Sequence, residues 1–453
     1  MGIKQKLFFI AILLMISISG TAQNLEINSS VSASGYLSTE GELPFWMVVN
    51  QNGGLSSQTD GLFEGATKGQ YFLSENNKAS FTTGVSFFLR NGVEDKLQRN
   101  ELYLQFENSW VRATLGAKNP TDRFQGLSTV NDNFLLSGNA RAIPGVLLET
   151  ATPISIFKNI NIEGAIGHYE MNDDRFVKRS MLHYKKLYAN WQLGAKSQIR
   201  LGVEHYAQWG GTSPTRGKQP SGFTDFIDIF FAKGGGENAF SGDQQNALGN
   251  HLGIYNLEYN YRDDIGTFKL YHQHPFEDGS GTALKNFPDG TWGFYFKPNK
   301  EEYTGFLDGL LLEYIHTTNQ SGSGVDSGND DYFFNGIYSS GWTYEQNIIG
   351  LPLFNRVQRG ESYMYSFYNR IKSIHIGISS THKNWSFLSK LSYLENLDSF
   401  IVTNLEKIKN FYSILRTTYS FENYGNITLT LSFDYSDLNP NNYGTGLTYN
   451  YNF

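Results

Sequence analysis

The chain contains no cysteine. That excludes a disulfide framework, a thiolate metal site and a lipid-modified cysteine behind a leader. Charge is scarce: charged residues make up 17% of the 453 positions, 36 basic against 43 acidic, for a net charge of −7. Such a balance disfavours a basic nucleic-acid surface. Proline numbers only 11, and no linker, charge block or composition shift divides the chain into domains. Beyond the first two dozen residues no apolar run approaches the roughly 20 residues a membrane helix needs. Catalytic signatures are missing as well. There is no Gly-x-Ser-x-Gly elbow, no His-Glu-x-x-His, no Gly-x-Gly-x-x-Gly and no P-loop.

The N-terminus is informative. Lys4 and Lys6 precede an apolar run from Leu7 to Ile18, followed by Gly20-Thr21-Ala22. A charged start, an apolar middle and a small-x-small end make a cleavable signal peptide, expected over 1–22. Its removal would leave residues 23–453 and, with two lysines gone, a net charge of −9. The expectation is an exported protein.

What is abundant points to strands. Aromatics make up 15% of the chain, with 34 Phe, 28 Tyr and 47 Gly, a composition suited to β-structure with aromatic girdles. Alternation supports it. Over 425–435, Ile427, Leu429, Leu431, Phe433 and Tyr435 oppose Asn426, Thr428, Thr430, Ser432 and Asp434. Over 443–453, Tyr443, Leu447, Tyr449, Tyr451 and Phe453 oppose Gly444, Gly446, Thr448, Asn450 and Asn452. A period of two held for ten residues is a strand signal, and one face would meet lipid. The same rule places strands near 26–38, 68–74, 79–90, 98–107, 109–118, 143–153, 160–170, 185–194, 198–209, 250–261, 266–275, 291–297, 306–317, 371–381, 385–395, 411–421, 425–435 and 443–453. The expected fold is therefore all-β: a transmembrane antiparallel β-barrel of about 18 strands. With the C-terminus in the periplasm, the turns near 75–78, 195–197, 262–265, 382–384 and 422–424 are short. The external loops near 119–142, 210–249, 276–290, 318–370 and 396–410 are long. That asymmetry belongs to outer-membrane barrels.

Two segments break the alternation. Residues 39–67, with Gly41-Glu42-Leu43-Pro44-Phe45-Trp46, are expected to fold into the lumen as a partial plug. Residues 223–233 put Phe223, Phe226, Ile227, Phe230 and Phe231 on one helical face. The pattern predicts a short helix in the 210–249 loop, lying over the barrel mouth or docking a partner.

Few residues suggest chemistry. His272 and His274 sit at i, i+2 on a strand, with Glu277 and Asp278 just after. They could share a metal, act as a base or simply bond loops or sugar at the rim. The acidic stretch Asp326 to Asp331 lacks calcium-loop spacing and reads as a solvated external loop. Trp209, Trp292 and Trp342 map to the outer half, and Trp110 and Trp385 to the inner rim. Aromatic faces beside Asn, Gln, Asp and Arg either anchor a barrel at the interface or hold sugar rings.

Several strings are distinctive: LGVEHYAQWGG from Leu201, NALGNHLGIY from Asn246, YHQHPFEDGSG from Tyr271, DGTWG from Asp289 and GELPFW from Gly41. Together they resemble the capsule assembly Wzi family in its Bacteroidetes form, over nearly all of the mature chain. The resemblance implies an 18-stranded outer-membrane barrel with a lectin-like role in holding capsular polysaccharide. The helical bundle of enterobacterial members has no counterpart in the pattern here.

These readings converge on a non-enzymatic outer-membrane barrel that binds capsular or exopolysaccharide and helps its surface attachment. A solute channel is the alternative, and a rim hydrolase a third. The expected contact set is Glu204, Tyr206, Gln208, Trp209, Asn246, Asn250, His251, His272, His274 and Asp278. Loop cations Arg123, Arg141, Arg216 and Lys218 are available to an acidic polymer. Expected partners are the polysaccharide, outer-membrane lipid and capsule export machinery, with no nucleic acid, metal or cofactor.

Overall fold

A computed structural model describes residues 24–73, 78–234, 247–303, 305–320, 331–398 and 407–453. Eighteen antiparallel strands close into a barrel. In chain order they are β1 (Leu25–Ser38), β2 (Gly61–Phe72), β3 (Ala79–Arg90), β4 (Leu97–Asn108), β5 (Val111–Ala117) and β6 (Gly145–Thr150, resuming as Ile154–Phe157). Then come β7 (Ile160–Met171), β8 (Ser180–Gln192), β9 (Ser197–Trp209), β10 (Asn250–Asp263), β11 (Gly266–Phe276) and β12 (Gly290–Pro298). The last are β13 (Leu307–His316), β14 (Arg370–His382), β15 (Trp385–Asp398), β16 (Ile408–Ser420), β17 (Asn426–Ser436) and β18 (Asn442–Asn452). Each strand pairs with its sequence neighbour, and β1 pairs with both β2 and β18, as in Ser34 opposite Thr448. Closure leaves no unpaired edge, which a lipid-embedded sheet requires.

The alternation read from the sequence sets which face is which. On β17, Leu429 and Leu431 are over 40% exposed, whereas Thr430 and Ser432 are buried against the lumen contents. Leu115, Leu187, Leu201, Leu257 and Leu270 continue the outward apolar band. A lysine there would cost about 2–4 kcal/mol at the membrane midplane. Inside, hydroxyls ladder across the strands: Ser34 with Thr448 and Thr418 with Thr428.

One barrel end carries tight connections, such as 264–265 and 383–384, and the other carries the long ones. Strand β2 starts at Gly61, so the strandless stretch ends at 60 rather than 67. Gly61, Gly65 and Gly69 dilute the apolar signal there, although Phe63 faces out and Glu64 faces in, accepting from Ser32.

Residues 39–60 turn inward through helix α1 (Phe45–Val48). Trp46 and Met47 are fully buried; the Trp46 indole N–H donates to Ser392 on β15, and Phe45 stacks on Tyr412 of β16 at 4.3 Å. Helix α2 (Phe223–Phe231) forms within the sequence window that predicted it. Its position differs from an expected place over the mouth. On β9, Leu201 is outward and exposed, so His205, Ala207 and Trp209 share the outward parity, yet all three are buried. They are buried because α2 lies on the outer wall, with Ile229 and Phe226 against Ala207 and Trp209.

Candidate functional site

The long-loop end of the barrel is filled by the protein's own loops. Residues 118–144 enter the lumen and are gripped by side chains of the strands around them. Glu313 of β13 accepts from Ser128 Oγ, Thr129 N, Thr129 Oγ1 and Tyr271 OH, at 2.5–2.9 Å. His375 of β14 bonds Leu127 O, Gln273 of β11 donates to Asp132 O, and Glu204 of β9 accepts from Asn133. Deeper in, Phe124 stacks on Tyr271 and meets Tyr295 edge-on. Gln125 accepts from Ser379 near the tight-turn end of β14. The loop thus reaches well down the barrel.

The described part of the 317–369 loop packs on this first loop. Trp342 donates to Leu135 O at 2.7 Å, and Ser137, Asn139 and Leu351 donate to Ile349, Ile348 and Phe134 carbonyls. Val130, Phe134, Tyr332, Phe333, Trp342, Tyr344, Leu351, Phe354 and Phe367 form one buried apolar core inside the barrel. Phe333 meets Phe134 and Phe354 edge-to-face at 5.8 and 4.9 Å. These residues fold inward because a water-exposed loop with so many large apolar side chains would leave them hydrated. The alternation pattern places both 119–142 and 318–370 outside the barrel as external loops, whereas the described parts of both fold into the lumen. The missed signal was the apolar density of 332–354, which lacks both alternation and a helical period.

Beneath this plug lies a cavity of about 260 Å³. Tyr184, Tyr188, Tyr206 and Trp342 line it together with Arg112, Lys118, Arg123, Arg141, Lys186 and Arg200, against only Asp132, Glu149 and Glu204. The charges are largely ordered by one another. Arg112 forms a two-pronged pair with Glu107 and reaches Glu149, which also meets Lys186 at 3.3 Å. Arg200 bonds Glu258 at 2.5 Å and lies 3.6 Å from the Tyr188 ring centre. Glu204 accepts from Tyr184 and Tyr188 at 2.9 and 2.5 Å. Asp132, buried between Lys269 and Arg123 at 3.6 Å each, has one oxygen with no hydrogen-bond partner. Burial, with Glu258 nearby, holds its carboxyl above the usual range against those two cations. Half of the Arg123 side chain is exposed, so the cavity meets solvent there. An excess of cations beside tyrosines and amides suits an acidic, hydroxyl-rich ligand.

The sequence-expected contact residues separate into distinct places. Glu204 and Tyr206 line the cavity, with Tyr206 stacked on Tyr184 at 4.6 Å. Gln208 and Asn250 bond each other and tie the wall to the upper loop through Gly341 O and Asn335. Trp209 and His251 face outward beneath α2 and its flank; His251 bonds His205 at 2.9 Å and Leu248 O. His272 and His274 also face outward, on β11; His272 stacks on Trp292 at 3.7 Å. Asp278 caps the short helix α3 (Gly279–Thr282) through Ser280 and Gly281 N–H groups. Asn246 lies outside the described residues. No group of three or more His, Asp or Glu among the described residues is placed to hold a metal. Of the tryptophans mapped to the outer half, Trp292 faces outward and partly exposed, whereas Trp342 is wholly buried in the plug.

Asp331 is not solvated, as its acidic neighbourhood suggested; residues 326–330 fall outside the described set. Its carboxylate accepts from Asn369, its second oxygen is buried without a partner, and burial pushes its pKa up to about 6. A folded pKa above the unfolded one means the docked loop binds the proton more tightly. Its contribution is therefore full below about pH 4 and lost as pH rises through 6. Amide exchange over 331–354, corrected for intrinsic rates, should be slower at pH 4.5 than at pH 7.5. Asp331→Asn should remove the difference; an unchanged difference would assign it elsewhere.

No curated protein matches the chain. Among solved structures it is similar to Wzi of Escherichia coli, described as an outer-membrane carbohydrate-binding β-barrel involved in group 1 capsule assembly. Identity is 12%, with 97% of this chain and 86% of that one covered and a TM-score of 0.59. It is also similar to OccK5 (OpdH) of Pseudomonas aeruginosa, at 8% identity, 96% and 99% coverage and a TM-score of 0.50. At such identities these likenesses speak for the outer-membrane barrel fold. The model of the capsule assembly protein Wzi family matches residues 52–449, and the chain belongs to that family.

Proposed function

We propose that this outer-membrane barrel binds capsular or exopolysaccharide, without turnover, and retains it at the cell surface after export behind a cleaved leader. The observation that carries this reading is the plug. Two loops share a buried core inside the barrel, which suits a fixed recognition surface and argues against a solute channel. Family membership supplies the capsule context, and the cation-rich cavity beneath suits an acidic sugar. Glu204 and Tyr206 are the expected contact residues that border it, with Arg123 and Arg141 as the cations. Capsule export machinery is the natural protein partner for such a role.

The test compares cell-attached with released polymer in a deletion strain and in strains complemented with wild type or Arg123→Glu. Deletion should move polymer several-fold into the medium with the total unchanged. Arg123→Glu should do so in part, and isolated barrel should release no product from the polymer. An unchanged ratio and total on deletion would remove the reading.

A further inference from the structure

We propose that an outer-wall groove at the long-loop end seats one phosphate-bearing lipid of the outer leaflet. The groove, about 790 Å³, lies on the outward faces of β5 to β8 and is walled on one side by residues 211–221. Its floor is apolar: Leu115, Pro144, Val146 and Met181. Leu115 and Val146 are more than half exposed and run directly into the lipid-facing band at Leu148, Ile166 and Leu187. Its upper edge is polar and cationic, with Arg179 and Lys218. Arg179 is 83% exposed and holds Glu170 at 3.3 Å; Lys218 has no acidic partner among the described residues. An acyl chain on the floor would place its phosphate beside these two cations, the layout by which basic pockets at a membrane boundary hold anionic headgroups.

The wall is a built feature. Thr212 and Lys178 exchange both backbone hydrogen bonds, at 2.9 and 3.0 Å. Gly211 meets Lys178 O and Ser180 N so closely that a Cβ would clash at 2.8–2.9 Å, and its φ is +83°. The same connection continues into α2, which lies on the outer wall with Phe223 and Phe231 exposed at 80% and 60%. An amphipathic helix with outward aromatics at this level sits where the headgroup and acyl regions meet. The groove and the helix thus present one lipid-facing platform, independent of any polysaccharide site.

Native mass spectrometry of the full barrel in detergent, titrated with diphosphorylated lipid A, tests this. The double variant Arg179→Glu/Lys218→Glu should bind about tenfold or more weakly than wild type, since it replaces both rim cations by carboxylates that repel the phosphate. Lys297→Glu, an exposed cation at the tight-turn end of β12, should bind as wild type does, and heat-modifiable gel mobility reports folding of each. Dephosphorylated lipid A should bind weakly, and millimolar inorganic phosphate should not displace the phosphorylated form. Equal binding by the double variant, equal binding of the dephosphorylated lipid, or displacement by phosphate would each overturn the proposal. The first two would mean ordinary annular lipid, the last a free-anion site.

Discussion

In a planar bilayer the intact barrel should insert without resolved conductance steps. A variant with 122–139 and 331–354 replaced by short Gly-Ser links should give large, porin-like steps. An 18-stranded barrel is wide enough for an aqueous channel when nothing fills it. Here Val130, Phe134, Phe333, Trp342 and Leu351 fill it with a core that excludes water. Both loops must go, because each packs on the other through Trp342 to Leu135 and Leu351 to Phe134. The strands should hold without them, since the closed ladder of backbone bonds runs unbroken around the wall. Porin-like current through the intact protein would revive the channel reading. A folded double-loop variant that stays silent would show that the lumen is blocked elsewhere.

The wall was legible in the sequence and the plug formed by the two long loops was not, for a physical reason. A lipid-facing strand must alternate, so Ile427 to Tyr435 announce both the strand and its faces. An inward loop has no such constraint. Its side chains pack on whatever the lumen offers, and Phe333 or Trp342 can reach a core from any backbone conformation. Parity alone put Glu204 and Tyr206 in the lumen, and they border the cavity. The same parity placed Tyr188 and Arg200 there, although neither stood out without the charge network that orders them. Trp209 and the pair His272 and His274 were marked for their residue types. Their odd-even position on the strand already pointed them at the outer wall.

Glu313→Ala should release the 118–144 loop while leaving the barrel folded. One carboxylate receives four donors from two separate segments, all buried. Truncation leaves Ser128, Thr129 and Tyr271 without their acceptor in a site closed to water. Hydrogen bonds to a charged group contribute about 1.5–3 kcal/mol each and do not add fully, so a docking loss of at least about 3 kcal/mol is expected. That corresponds to roughly a hundredfold rise in loop opening. Trypsin cleavage after Arg123 in the folded, detergent-solubilised barrel reads it, because Phe124 is buried and the bond is held until the loop opens. Glu313→Gln keeps the shape and one good acceptor but sets an amide N–H against the donors of Thr129, so its cleavage should fall between the two. Heat-modifiable mobility should stay that of wild type in both variants, since the β12–β13–β14 backbone ladder does not depend on this side chain. Wild-type cleavage rates in the alanine variant would mean that the Phe124, Leu127 and Tyr271 apolar cluster and the bonds from His375, Gln273 and Glu204 hold the loop without it. Glu313 would then be a satisfied acceptor with no part in keeping the lumen closed.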